Sequence, residues 1–359
     1  MMKNKILRLR EKEILYPTVL SPMAGVTDVP FRRLCRTLSG NRLGLFVSEF
    51  VSTDGCAGEA LKKRKELIFG AGERPFGIQI FGKHPERMAE GARVIEELAP
   101  DFIEINAGCP APKVAGKGGG AGLLKDLPRL ASIIREVRRA IRIPLTLKCR
   151  TGWDETNINV LETLKIAENE GVELLTVHGR TRVQGYYGLA DWEVIGAVAE
   201  SARIPVIGNG DIISAEMALD RLERYPVSGV SIGRGALHNP WLFGQIADAL
   251  EGHAPREIPL EEVLGIFPKY YEDMLESGAT SPGALGRLKQ LAARLCKGIT
   301  PENPEFRRHL LSSAGAEIFL ERLETVREEL RGFHFSPDHL VNLNGKNEDE
   351  LQFGSQFKK

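Results

Sequence analysis

Eight short apolar runs rich in β-branched residues recur between residues 18 and 233, and their spacing constrains the fold more than any other feature. They cover residues 18–24, 45–51, 76–81, 102–107, 145–150, 174–179, 204–208 and 229–233. Their starts lie 27, 31, 26, 43, 29, 30 and 25 residues apart, which is room for one strand and one helix each. Helix-like stretches fill the gaps, among them 85–98, 127–141 and 158–170, several with acidic first turns and a Gly or Pro at the end. Near-continuous apolar strands alternating with helices predict a parallel sheet buried on both faces. Eight such units predict a closed TIM (β/α)8 barrel, with an open doubly wound sheet as the alternative. The barrel is preferred because polar residues stand at the C-terminal end of nearly every strand, the rim where barrels build active sites.

After Gly235 the rhythm changes. Residues 245–284 hold eight acidic and two basic residues, and 285–310 hold six basic and two acidic, in long helical patterns. The expected organisation is a barrel over 1–245, a helical domain over 246–333 and a polar, aperiodic, disordered tail over 334–359. The whole chain carries 48 basic and 48 acidic side chains, so no overall field draws it to nucleic acid, though a local basic face is allowed. Five cysteines without a C-x-x-C support neither a disulfide framework nor a zinc ribbon, and no metal site is expected. The N-terminal segment has its apolar residues broken by charges, and no run reaches the ~18 apolar residues of a membrane span. The expectation is a cytoplasmic protein with no membrane partner.

Glycine is in excess, 38 of 359 residues, and it clusters at strand ends where loops approach something closely. The ends of strands seven and eight carry Gly208-Asn209-Gly210-Asp211 and Gly233-Arg234-Gly235. Barrels commonly hold a phosphate there on exposed main-chain N–H groups, and Arg234 adds a charge-assisted donor. Residues 116–122 (GKGGGAG) fail as a P-loop because Gly118 follows Lys117, and the Gly208 turn fails as a dinucleotide fingerprint because Ile213 stands at its sixth position. The fourth crossover, which holds GKGGGAG, is the longest and is the expected mobile active-site loop.

Taken in order, SPMAGVTD, the Gln79 strand, EINAGCP with Lys113, LKCRTGWD, VHGRTRVQGYYGLADW, IPVIGNGDI and IGRGALHNPWLF resemble the tRNA-dihydrouridine synthases. These are flavin-dependent barrels with a C-terminal helical tRNA-binding domain. The resemblance runs motif by motif over about residues 15–245, and beyond that only in character. One departure is Ala111-Pro112 ahead of Lys113, where relatives are often more polar.

The resemblance implies bound FMN. Pro22, Met23 and Ala24 would underlie its ring, Gln79 would meet the pyrimidine edge, and Lys148 would stand near N1 and O2 with His178 beside it. Asn209, Gly210, Asp211, Gly233 and Arg234 would hold the ribityl phosphate. NADPH or NADH would donate electrons and leave, so no dinucleotide fingerprint is required. Cys109 would be the proton donor, since a free thiol with a pKa of ~8.5 is protonated yet able to donate at neutral pH. Cys35, Cys56, Cys149 and Cys296 read as ordinary structural thiols. Asn106, Arg150 and Arg180 are expected substrate contacts. In the helical half, about 100° per residue places Leu288, Leu291 and Leu295 on one face and Arg287, Gln290, Arg294 and Lys297 on another. Arg287 and Arg294 are therefore expected to face tRNA phosphates away from the barrel rim, on a protein favoured to be monomeric. The rival activities are a flavin barrel acting on a free small molecule and a catalytically silent tRNA-binding protein.

Overall fold

A computed structural model describes residues 6–54, 58–299, 304–329 and 334–335. Eight parallel strands close into a barrel: β1 (Thr18–Leu20), β2 (Leu45–Val47), β3 (Phe76–Phe81), β4 (Phe102–Ala107), β5 (Leu145–Arg150), β6 (Leu174–His178), β7 (Val206–Asn209) and β8 (Gly229–Ile232). Closure comes from β8 pairing with β1, Val230 opposite Thr18. The open-sheet alternative is thereby excluded. The second expected strand is split, because Leu45–Val47 and Val51–Ser52 both pair with β3. Between them the Ser48 hydroxyl accepts the Gln79 N–H at 3.0 Å, where a carbonyl of a continuous ladder would stand.

Because side chains alternate along a strand, one set of positions fills the barrel and the other meets the helices. The outward set, including Ile78, Ile103, Ile105, Leu147, Val177 and Val230, packs into the large core under the helices. The inward set changes character along the barrel axis. At the N-terminal end it is apolar: Val19, Leu45, Phe102, Leu174 and Ile207. Gly77 leaves room for the Phe102 ring, which a Cβ there would meet at 2.1 Å. Towards the C-terminal end it is polar, with Gln79, Glu104, Asn106, Thr146, Thr176, His178, Asn209 and Ser231 all buried.

The N-terminal mouth is plugged by a hairpin of Leu7–Leu9 with Lys12–Ile14, whose Leu7, Leu9 and Ile14 join the apolar layer. Among the outer helices, α1 (Val29–Leu38) is capped by Asp28, whose carboxylate accepts the Phe31 N–H.

The expected boundary after residue 245 falls inside α2 (Leu242–Leu250). Beyond it come α3 (Leu260–Glu276), α4 (Ser281–Ile299), α5 (Pro304–Leu311) and α6 (Ala316–Glu329). Leu288, Leu291 and Leu295 are buried, as their spacing on one face requires. Their core is continuous with the barrel's outer core through Phe267, Tyr270 and Phe243. Within the expected tail, His334–Phe335 forms a short strand with Ile258–Pro259, and Phe335 packs its ring against Trp241. Residues 336–359 lie outside the described residues, as does Cys56.

Candidate active site

The polar end of the barrel interior gathers nearly all the expected residues. Cys109 lies just beyond β4, partly buried, on a turn tied down by Asn106. The Asn106 side-chain oxygen accepts the N–H groups of both Gly108 (2.9 Å) and Cys109 (2.8 Å). Burial pushes the Cys109 thiol up, against smaller opposing pulls from the Ala111 N–H and the Arg150 guanidinium. The thiol is therefore held protonated at neutral pH, the state an acid requires.

The Gly-rich crossover packs onto this turn rather than lying open. Residues 120–124 are buried, and the Ala121 N–H donates to the Cys109 carbonyl at 3.1 Å. Gly120 takes φ +53°, and a Cβ there would stand 2.9 Å from that carbonyl oxygen. The loop expected to be mobile is thus packed over residues 119–124 in this structure. Only Gly116 and Lys117 at its start are exposed, since Leu123 and Leu124 anchor the rest in the core.

Lys148, inward on β5, donates to the Asn209 side-chain oxygen at 2.8 Å, and Asn209 in turn donates to the Ser231 carbonyl at 2.7 Å. Burial lowers the Lys148 pKa, while the nearby Glu104 carboxylate pulls it back up. Glu104 is itself buried and raised, desolvation outweighing the attraction of Lys148. Sequence reasoning gave Glu104 no role, although it stands in the EINAGCP motif two residues from Asn106, the spacing that puts both on one face of β4.

His178 at the end of β6 is held well below its ordinary pKa, chiefly by burial, then by the surrounding Arg150, Lys148, Arg180 and Arg234. It is a neutral imidazole in a cationic surround.

Four of the expected contact residues, Arg180, Asp211, Arg150 and Gln79, are held by protein partners. Arg180 is buried and donates to both oxygens of Asp211 at 2.7 Å and to the carbonyl of Gly188 at 2.5 Å. Asp211 also accepts from the Ala190 N–H and from Arg234. Arg180 and Asp211 thus brace one another, and the carboxylate aligns both arginines. Arg150 is likewise buried, donating to the carbonyls of Gly108, Thr181 and Gly185. Its hold on Gly108 supports the Cys109 turn from the side opposite Asn106. Gln79 donates to Glu104 at 2.6 Å and accepts from Asn106 at 2.8 Å.

The helical residue Arg287 departs furthest from expectation. It is not on an open stripe: its guanidinium is paired with the Asp28 carboxylate and donates to the Val26 carbonyl at 3.3 Å. It therefore grips the loop after β1, whose Gly25 N–H is held by Glu49. Arg294 is half-buried and makes an interaction of its own. Arg308 and His309 are exposed nearby.

In that β1 loop the Met23 carbonyl accepts the N–H groups of Val26 and Thr27, both at 3.0 Å, while Ala24 stands exposed. Gly210 takes φ +136°, and a Cβ there would stand 2.4 Å from Ala190 Cβ. Gly233 faces Met23, and a Cβ there would stand in ordinary contact with the sulfur at 3.4 Å. Tyr186, half-exposed on the loop after β6, is a residue the sequence reading passed over. Arg234 lies 4.6 Å from its ring centroid and Arg150 5.6 Å, so an aromatic face is braced by two cations at the rim.

Comparison with known proteins places this geometry. The family model described as dihydrouridine synthase (Dus) matches residues 19–331. The chain is 43% identical over 258 residues to tRNA-dihydrouridine synthase B of Pseudomonas aeruginosa, covering 71% of this chain and 76% of that protein. It is 35% identical over 333 residues to the probable tRNA-dihydrouridine synthase of Rickettsia conorii, covering 92% and 97%. Among solved structures, histamine dehydrogenase from Rhizobium sp. 4-9 shares the fold at a TM-score of 0.53 and 11% identity, over 69% of this chain and 48% of that one. Among the described residues no helix is long and apolar enough to cross a membrane. A family model spanning both the barrel and the helices, with relatives matched over most of their own length, establishes that the chain belongs to the dihydrouridine synthase family.

Proposed function

We propose that the chain is a cytoplasmic, FMN-dependent tRNA-dihydrouridine synthase that reduces the C5–C6 bond of particular uridines with electrons from NADPH or NADH. The observation that carries this reading is Cys109, a protonated thiol on a turn fixed by Asn106, at the same barrel end as Lys148 and His178.

The residues suit a flavin mononucleotide. Lys148, Arg150, Arg180 and Arg234 stand against two carboxylates, Glu104 and Asp211, an excess of positive charge matching a phosphate and an electron-rich ring. The buried Ser231 hydroxyl has no hydrogen-bond partner, and Gly233 brings main chain without a side chain to the end of the last strand. Gly233, Arg234 and the Gly210 turn would hold the phosphate end, Lys148 and His178 the pyrimidine edge, and the Pro22–Ala24 loop the ring's underside. When bound, the flavin supplies hydride to one carbon of the uracil double bond. Cys109 delivers the proton to the other carbon. Lys148, kept in place by Asn209, offers positive charge without moving. The braced Tyr186 ring offers a face for a base to stack on. Basic residues of the helical half, the exposed Arg308 among them, would contact tRNA phosphates, which position an RNA without reading its sequence.

A barrel acting on a free small molecule would have no use for the helical half that the family model includes. The test is to map dihydrouridines in tRNA from cells with and without the protein. Loss of modification at defined positions, restored by wild type and not by Cys109→Ala, is the expected result. Unchanged maps would overturn the proposal.

A further inference from the structure

The inward face of β3 and β4 carries a hydrogen-bond relay that ends at the Cys109 turn. Its direction is fixed by chemistry at both ends. The N–H groups of Gly108 and Cys109 can only donate, so the atom of Asn106 that meets them is its oxygen. The Asn106 NH₂ must then face an acceptor, and it does: the Gln79 oxygen at 2.8 Å. That leaves the Gln79 NH₂ to find an acceptor of its own, and it meets a Glu104 oxygen at 2.6 Å. Glu104, Gln79 and Asn106 are all buried, so water does not compete for these groups. Strand register supports the arrangement, with Gln79 directly opposite Glu104 and Asn106 one inward position further on.

We propose that Glu104 is the positioning residue for Cys109, its carboxylate acting as the terminal acceptor that locks two amides and, through them, the main chain of the thiol's turn. The proposal rests on Cys109 being the proton donor. Without an oxygen at position 104 the Gln79 NH₂ would be a buried donor with no acceptor, and the amide pair would shift or turn to satisfy it. With that oxygen in place the one arrangement that pairs every group is the one that accepts the N–H groups of residues 108 and 109. Glu104 also faces Lys148, so any variant must separate the acceptor from the charge.

Two substitutions do so. Glu104→Gln keeps an oxygen that can accept and removes the charge; Glu104→Met removes both at similar volume. Amide hydrogen exchange of the purified flavoprotein, resolved to the peptide containing Gly108 and Cys109, is the direct readout. Glu104→Met is expected to speed exchange of these amides about tenfold or more, the scale of one lost buried hydrogen bond, with the amides of Ile103 and Ile105 unchanged. Glu104→Gln is expected to stay within about threefold of wild type. In the same pair, tRNA-driven oxidation of the reduced flavin should slow more in Glu104→Met than in Glu104→Gln. Unchanged exchange in both variants would overturn the proposal. Equal acceleration in both would overturn it too, because the charge beside Lys148 would then be the cause. If Glu104→Met does not fold, Gln79→Leu breaks the relay at its middle and leaves Glu104 beside Lys148. It should show the same local acceleration, and its failure to do so would refute the relay. Exchange is read whether or not the protein makes dihydrouridine, so failure of the relay and failure of the Cys109 assignment are distinguishable.

Discussion

Replacing Asp211 by Asn tests how the arginines of the rim are held. Asp211 lies at φ +56°, a conformation Asn tolerates as well as Asp, so the substitution changes charge and not backbone strain. Its carboxylate accepts from Arg180 through both oxygens at 2.7 Å, from the Ala190 N–H at 2.7 Å and from Arg234 at 3.3 Å. An amide in its place has one oxygen for these donors, and its NH₂ would point at another N–H. The Arg180 guanidinium is 2% exposed, so it would be left as a poorly compensated buried charge. Breaking such a pair from one side costs roughly 3–5 kcal/mol, and the retained amide oxygen puts Asp211→Asn near the lower end, at about 3 kcal/mol. Urea unfolding followed by circular dichroism measures it. The double variant Arg180→Met with Asp211→Asn removes the stranded charge and should be no less stable than Asp211→Asn alone, a non-additivity that a double-mutant cycle reports. A loss below about 0.5 kcal/mol in Asp211→Asn would refute the picture of a desolvated strut.

Other outcomes follow from the same geometry. Cys109→Ala should leave NADPH-driven flavin reduction intact and slow oxidation by tRNA by about 10²–10⁴-fold in stopped-flow traces; equal loss in both halves would make Cys109 structural. His178 has a folded pKa well below its unfolded value. Below about pH 6.5 the unfolded chain therefore binds a proton the native state refuses, and stability falls as pH falls, by up to ~1.4 kcal/mol per unit until the folded pKa is reached. His178→Gln should flatten that acid limb in pH-dependent unfolding. Gly210→Ala forces a Cβ to 2.4 Å from Ala190 at φ +136° and should cost about 1–3 kcal/mol together with weaker flavin retention on gel filtration. Arg287→Met should loosen the junction with the β1 loop by about 1–3 kcal/mol and leave the log–log salt slope of tRNA binding unchanged; a slope smaller by ~0.7–0.9 would mean that Arg287 contacts a phosphate after all.

The barrel was legible because parallel strands buried on both faces leave an unmistakable signature, and β3, β4 and β5 match their expected bounds to the residue. The motif residues at the strand ends were legible as a set, since equivalent positions on neighbouring strands converge on one rim. Partnership across the sheet was not legible. Glu104 sits in a motif that was read for Asn106 and Cys109, yet only the register of β3 against β4 puts it on Gln79. Arg180 and Arg150 read as cations free for substrate because a linear sequence does not show that Asp211 and three carbonyls claim them. The helical wheel sorted Arg287 correctly to the polar face, but a wheel cannot distinguish water from Asp28, 259 residues away. The N-terminal hairpin leaves a signal, the alternation of Leu7, Arg8, Leu9 and Arg10, but one so short does not by itself distinguish a strand from a loop.

The central claim is that a flavin on this rim passes its electrons to uridine within tRNA while Cys109 provides the proton. A single anaerobic turnover tests it most directly: protein reduced with NADPH, freed of excess donor, then mixed with tRNA lacking dihydrouridine. The account predicts that the flavin reoxidises on mixing, that dihydrouridine appears in equal amount to the flavin reoxidised, and that Cys109→Ala stalls at the reduced state. A reduced flavin that stays reduced with such tRNA, or that reoxidises without forming dihydrouridine, would contradict it.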